Sequence, residues 1–238
     1  VTCDPGDVHV WRIALDEAGD SGASLELHLT PDERERAGRF RFDADRRRWS
    51  RARAALRVVL ARYAGCEPGG LRFELGAFGK PALSAPREAL AFNITHTGDV
   101  ALLALGAAGF QLGIDAEFVR PNVDWSDLSR RFFHPDEARD IHALAAAGQL
   151  DAFFTCWTRK EAFVKALGAG LSMPLEDFCV SVLPTEPPAV LTIRGDPHPA
   201  TQWRLIDLRE PGLAATLAVD MPNPTLRRFD FDTGDAPV

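Results

Sequence analysis

Trp157-Thr158-Arg159-Lys160-Glu161-Ala162-Phe163-Val164-Lys165 sets a tryptophan, a hydroxyl, an arginine, an alanine and a cation at spacings the chain has already used in Trp49-Ser50-Arg51, Ala54 and Arg57. Upstream of these two stretches, His134-Pro135-Asp136-Glu137 echoes Thr30-Pro31-Asp32-Glu33, and each reads as a helix start with proline at the first position and an acid that closes a capping box. Long helices are predicted from Asp45 to Ala64 and from Leu150 to Gly168, with a shorter one over Pro135 to Ala147, and each long one runs out at a glycine. Strand patterns occupy Val8–Ile13, Leu71–Leu75, Leu90–Thr95, Val100–Leu105 and Gln111–Glu117, then Phe178–Leu183, Val190–Arg194, Gln202–Leu208 and Leu213–Val219. The expected fold is α+β: two pseudo-symmetric halves, 1–108 and 109–222, with a ligand site in the cleft between them and a flexible tail over 223–238.

The composition agrees with a globular domain pair. The chain has 238 residues, 46% hydrophobic and 26% charged, which excludes collagen-like, disordered and disulfide-scaffold classes. The 15-residue uncharged run from Val100 to Ile114 falls short of the roughly 20 apolar residues of a membrane span. No signal-like segment opens the sequence, and Cys3, Cys66, Cys156 and Cys179 form no C-x-x-C pair, so a cytoplasmic protein with reduced thiols is expected. Net charge is −7, yet Pro31 to Arg62 carries 11 arginines against 5 acids, a local +6 that leaves −13 elsewhere. Such a segment suits phosphate binding or is simply a solvated helix face. An Arg-rich RNA binder is disfavoured by the overall acidity and by the presence of one tyrosine.

Asp115 and Glu117 lie two apart on a predicted strand, so both carboxylates project from one face beside Leu112 and Ile114. Two part-buried acids repel unless a cation neutralises them, and Mg²⁺ takes one or two carboxylates together with substrate phosphates. Trp157, Glu161 and Lys165 fall along one side of a helix, where Glu161 can serve as a third ligand or a base and Lys165 can stabilise phosphate charge. Plainer readings stand beside each: a solvated strand end for the two acids, and a surface i,i+4 ion pair for Glu161 and Lys165. His96 in Asn93-Ile94-Thr95-His96-Thr97 is an anion contact or a structural histidine, and Lys80 in Gly79-Lys80-Pro81 is a phosphate contact or a loop lysine. P-loop, dinucleotide-fold and hydrolase-elbow motifs are absent.

In order along the chain, Gly79-Lys80-Pro81, Asn93-Ile94-Thr95-His96-Thr97, Gly113-Ile114-Asp115-Ala116-Glu117, Arg131-Phe132-Phe133 with Glu137, and the Trp157–Lys165 stretch resemble the 4′-phosphopantetheinyl transferases of the surfactin-synthetase-activating (Sfp) type. Gly168-Ala169-Gly170-Leu171-Ser172 and Pro174 extend the likeness. The resemblance implies a monomer that transfers the 4′-phosphopantetheine arm of coenzyme A to a serine of an apo acyl or peptidyl carrier protein, releasing adenosine 3′,5′-bisphosphate. Nonribosomal peptide and polyketide systems are among those that present such carriers, and neither nucleic acid nor membrane is expected as a partner.

By that resemblance Asp115, Glu117 and Glu161 hold Mg²⁺, with Mn²⁺ as a possible substitute, and Glu161, Lys165 and Asp115 form the catalytic set. Thr95, His96 and Lys165 contact coenzyme A phosphates, Lys80 and Pro81 lie by the nucleotide, and Arg36 or Arg48 meets the 3′-phosphate. Two departures stand out. Glu33 replaces a lysine that some relatives carry, and Thr95 and Thr97 replace serines. The competing function is a non-catalytic module that binds coenzyme A or a carrier protein.

Overall fold

The computed structural model describes residues 3–16, 25–85 and 90–231. Its elements are β1 (Asp7–Ala14), α1 (Pro31–Gly38), α2 (Asp43–Ala64), β2 (Arg72–Leu75), β3 (Pro81–Ala85), β4 (Leu90–Thr97), β5 (Val100–Ala107), β6 (Leu112–Phe118), α3 (Trp125–Phe132), α4 (Pro135–Ala143), α5 (Ala146–Leu167), β7 (Phe178–Val180), β8 (Val190–Ile193), β9 (Arg204–Asp207), β10 (Leu213–Val219) and β11 (Thr225–Asp230). The chain is α+β and divides into two compact units, the first made of Val1–Leu75, Pro81–Gly109 and Thr225–Val238, the second of Gly76–Lys80 and Phe110–Pro224.

The duplication read from the sequence appears as matched topology. In the first unit β1, β5 and β4 pair antiparallel in that order, and in the second β6, β10 and β9 do the same. In each set of three the strand that comes last in the chain lies in the middle, flanked by the other two; in the first unit β11 adds to the sheet outside β1. Each has one long helix, and each helix stops on a glycine in the left-handed region, Gly65 at φ 62° and Gly168 at φ 64°.

The short helices begin alike as well. Glu33 accepts the Thr30 N–H at 3.0 Å and Glu137 accepts the His134 N–H at 2.9 Å, the back-reaching half of a capping box in both copies. Both glutamates are buried, and each meets a cation from the following long helix: Arg57 at 2.6 Å together with Arg53 for Glu33, Lys160 at 2.8 Å for Glu137. Burial alone would raise the Glu33 carboxyl, but Arg57, the Thr30 amide and Arg53 carry it below its ordinary value. For Glu137 burial wins over Lys160 and the carboxyl is pushed up. Removing either partner of the wholly buried Lys160–Glu137 pair would cost about 3–5 kcal/mol, because the other charge would be stranded. The unit cores gather around these anchors, with Trp11, Ile13, Leu56, Leu60 and Leu103 in the first and Phe153, Phe163, Phe178 and Trp203 in the second.

Three features differ from the sequence expectation. Proline 81 opens a strand, β3, which the turn signal at Gly79-Lys80-Pro81 had concealed; proline is tolerated there because a strand's first residue can forgo its donor. Helix α3 was not anticipated, although Asp124 caps it by accepting the Asp127 N–H at 3.2 Å. The segment expected to be a flexible tail instead contains β11, parallel to β1. Its reason is local chemistry: Phe229 stacks on Trp11 with centroids 4.8 Å apart, Phe231 is buried, and Arg227 Nε donates to Asp7 at 2.9 Å. Residues 232–238 of that expected tail lie outside the described residues. Phe231→Ala is expected to destabilise the protein by about 3–5 kcal/mol in chemical denaturation, whereas a loose tail would give no change.

Candidate active site

The four residues expected to carry chemistry in the second half come from two elements that touch, β6 and α5. Gly113, Asp115 and Glu117 share one face of β6, because side chains alternate along a strand. A Cβ on Gly113 would lie 2.8 Å from the Lys165 carbonyl carbon and closer still to Ala162 O and Ala166 N. The face that holds both acids therefore lies directly against the backbone of α5, in the turn that carries Glu161 and Lys165. Below this contact Thr158 and Thr216 share a buried hydrogen bond of 3.1 Å, and Thr216 sits opposite Asp115 in the β10–β6 register. Both threonines help hold α5 over the sheet.

The result is a compact charged group. Lys165 Nζ donates to Asp115 Oδ1 at 2.6 Å, with the Asp115 side chain 6% exposed and that of Lys165 30%. The Glu161 carboxyl is pushed above its ordinary value, first by burial and then by the charge of Asp115, while Lys165 opposes the rise and Glu117 adds to it. Glu117 is partly buried and has Arg120 Nη2 at 3.6 Å. Three acids and one lysine are thus near enough to sense one another. Among the described residues no three His, Cys, Asp or Glu side chains stand grouped closely enough to hold a metal ion. Asp115 is neutralised by an ammonium, yet the donor chemistry, three hard carboxylates with a repulsion that raises Glu161, suits a divalent cation.

The other expected site residues are distributed between the units. Lys80 belongs to the second, where its Nζ donates to the carbonyls of Leu112 at 2.8 Å and Ala166 at 3.0 Å; burial lowers its pKa to about 8. Arg36, Arg48, Pro81, Thr95 and His96 belong to the first. Thr95 is buried and His96 exposed near the end of β4. Arg36 lies over the Trp49 ring, 5.4 Å from its centroid. Arg48 makes a two-point pair with Asp16, at 2.7 and 2.5 Å. Glu33, at the position where some relatives have a lysine, is committed to Arg53 and Arg57, and so plays a structural part.

Sequence reading named Gly113 within a motif but gave it no task. The signal was present, since a glycine inside a strand marks a close backbone approach. Lys160 and Thr216 were also missed; a lysine one residue before Glu161 carries no mark of burial, and Thr216 acquires its place only through strand register.

A family model described as the 4′-phosphopantetheinyl transferase superfamily matches residues 111–218, and one described as 4′-phosphopantetheinyl transferase, N-terminal, matches residues 23–107. The 4′-phosphopantetheinyl transferase HetI of Nostoc sp. is 38% identical over 204 residues, spanning 85% of this chain and 82% of that protein. The 4′-phosphopantetheinyl transferase Sfp of Bacillus subtilis is 32% identical, spanning 64% and 66%. AcpT of Escherichia coli O157:H7, another 4′-phosphopantetheinyl transferase, is 34% identical, spanning 67% and 74%. The crystal structure of Thermotoga maritima holo-[acyl-carrier-protein] synthase aligns with a TM-score of 0.36 at 20% identity, over 46% of this chain and 61% of that one.

Gly113→Ala is expected to force β6 and α5 apart and to destabilise the protein by about 1–3 kcal/mol or more. Thermal unfolding checks this, and an unchanged midpoint would show that the two backbones do not meet there.

Proposed function

As a member of the 4′-phosphopantetheinyl transferase superfamily the chain is an enzyme of that class, and we propose that it moves the 4′-phosphopantetheine arm of coenzyme A onto a serine of an apo acyl or peptidyl carrier protein. In this reaction the serine oxygen attacks the phosphorus that bears the pantetheine arm. The bond from that phosphorus to the bridging oxygen breaks, and adenosine 3′,5′-bisphosphate leaves. The observation that carries the reading is the group formed by Asp115, Glu117, Glu161 and Lys165, in which Glu161 feels both other acids and Lys165 sits on Asp115.

Each residue then has a task that its setting supports. Burial and acidic neighbours raise the Glu161 carboxyl above its ordinary value, and Glu161 is the proposed acceptor of the serine proton. Lys165 offers an ammonium to the bridging oxygen as its charge develops. Asp115, Glu117 and Glu161 are the residues that would hold the proposed Mg²⁺, or Mn²⁺ in its place, and the ion would supply positive charge to the phosphates. In the first unit Arg36, Arg48, Thr95 and His96 are the proposed contacts to coenzyme A phosphates, with Pro81 assigned by resemblance to its nucleotide end; Lys80, which the same resemblance puts beside the nucleotide, has its ammonium on two backbone carbonyls of the second unit instead. The same resemblance assigns a cytoplasmic monomer that serves peptide-synthetase or polyketide carriers.

Incubation with coenzyme A, Mg²⁺ and a panel of apo carrier proteins is expected to add the mass of one arm to at least one carrier. Glu161→Gln should slow that transfer by about 10²- to 10⁴-fold with the thermal midpoint retained. If the wild-type protein binds coenzyme A yet modifies no carrier in the panel, the non-catalytic module is the better reading. Undiminished transfer by Glu161→Gln would overturn the role given to that residue.

A further inference from the structure

The Gly79-Lys80-Pro81 and Gly168-Ala169-Gly170 motifs are far apart in sequence and were read separately, but within the second unit they form one joint. Gly79, at φ 84°, closes a tight turn in which its N–H reaches Gly76 O at 2.9 Å, while the Gly76 N–H reaches Lys80 O at 2.8 Å. This turn fixes the Lys80 backbone. The receiving surface is shaped by the other two glycines: a Cβ on Gly168 would touch Lys80 Cδ at 3.5 Å, and one on Gly170 would come within 2.9 Å of Phe78 Cβ. The Lys80 side chain runs inward through this seat. Its ammonium is bound to Leu112 O, on the first residue of β6, and to Ala166 O, in the last turn of α5.

Those two carbonyls belong to the elements that carry the acids. Leu112 lies three residues before Asp115, and Ala166 follows Lys165 directly. Carbonyls in a helix's last turn have no intrahelical donor, and a cation there also complements the helix dipole. One side-chain nitrogen therefore joins the start of β6 to the end of α5. It does so at a cost, because its burial disfavours the charged form, which Asp220 offsets in part.

We infer that Lys80 is a positioning residue that clips β6 to α5 and so sets the placement of Asp115 and Glu117 against Glu161 and Lys165, a role distinct from contacting the nucleotide. This inference rests on the proposed reading of that acidic group as the catalytic centre.

Lys80→Met keeps the length of the side chain and removes the donor, whereas Lys80→Arg can still donate to both carbonyls. Lys80→Met is expected to lower kcat by about tenfold to a hundredfold, with the KM for coenzyme A changed by less than about twofold, as for a misplaced reacting group. Lys80→Arg should recover most of the loss. Gly170→Ala, which retains the lysine but pushes on Phe78 and so shifts the turn that seats Lys80, should reproduce the fall in kcat, and it keeps the inference testable if Lys80→Met does not fold. A rise in the KM for coenzyme A at unchanged kcat would instead make Lys80 a nucleotide contact, and kinetics unaltered in both variants would remove the clip.

A readout independent of turnover separates this inference from the proposed function. Release of the clip in Lys80→Met should lower the hydrogen-exchange protection of amides at the start of β6 and the end of α5. If the wild-type protein proves inactive, the proposed reaction fails while the exchange still decides the clip; protection identical in wild type and Lys80→Met overturns it.

Discussion

The absence of one side chain, at Gly113, lets a strand and a helix meet backbone to backbone, and the arrangement of charge in the second unit follows from it. With any Cβ at that position α5 would have to stand off from β6, since Ala162, Lys165 and Ala166 occupy the space. Because they touch, the acids two and four residues further along the strand lie beside Glu161 and Lys165. Proximity then does the electrostatic work. Burial and like charge raise Glu161, and Lys165 settles on Asp115. The buried Thr158–Thr216 hydrogen bond ties α5 to the neighbouring β10, and the Lys80 clip joins β6 and α5 at one end.

The two units show how one scaffold supports different chemistry. In both, a capping-box glutamate is buried and neutralised by the long helix that follows it. In the first unit Arg53 and Arg57 perform that task, and the matching positions of the second helix are Glu161 and Lys165. Those two take no part in holding the buried glutamate, because Lys160, which replaces Ala52, has taken it over. A single change of anchoring position thus lets the second helix present an acid and a lysine to β6. The first unit keeps its helix cations for structural pairing and presents further arginines on its exterior.

Much of this was legible in the sequence, and the limits are physical. Spacing revealed the duplication, the long helices and the same-face pairing of Asp115 with Glu117, because periodicities of 3.6 and 2 are fixed by backbone geometry. Composition misled at the C-terminus, where prolines and acids concealed the apolar alternation of Phe229 and Phe231 that pins β11 to the first sheet. What a one-dimensional pattern does not carry is partner choice. That Lys160 is buried on Glu137, that Lys80 points inward to two carbonyls, and that Glu33 is structural all depend on which elements pack together.

The coupling of the three acids across the β6–α5 contact is tested most directly by following the Glu161 carboxyl through a pH titration by carbon NMR, in the wild-type protein and in Asp115→Asn. Glu161 should titrate above the ordinary carboxylate value in the wild type and move down when the charge at 115 is removed. A Glu161 that titrates at its ordinary value and ignores the substitution would contradict the account, because the strand and helix would then not bring these charges together.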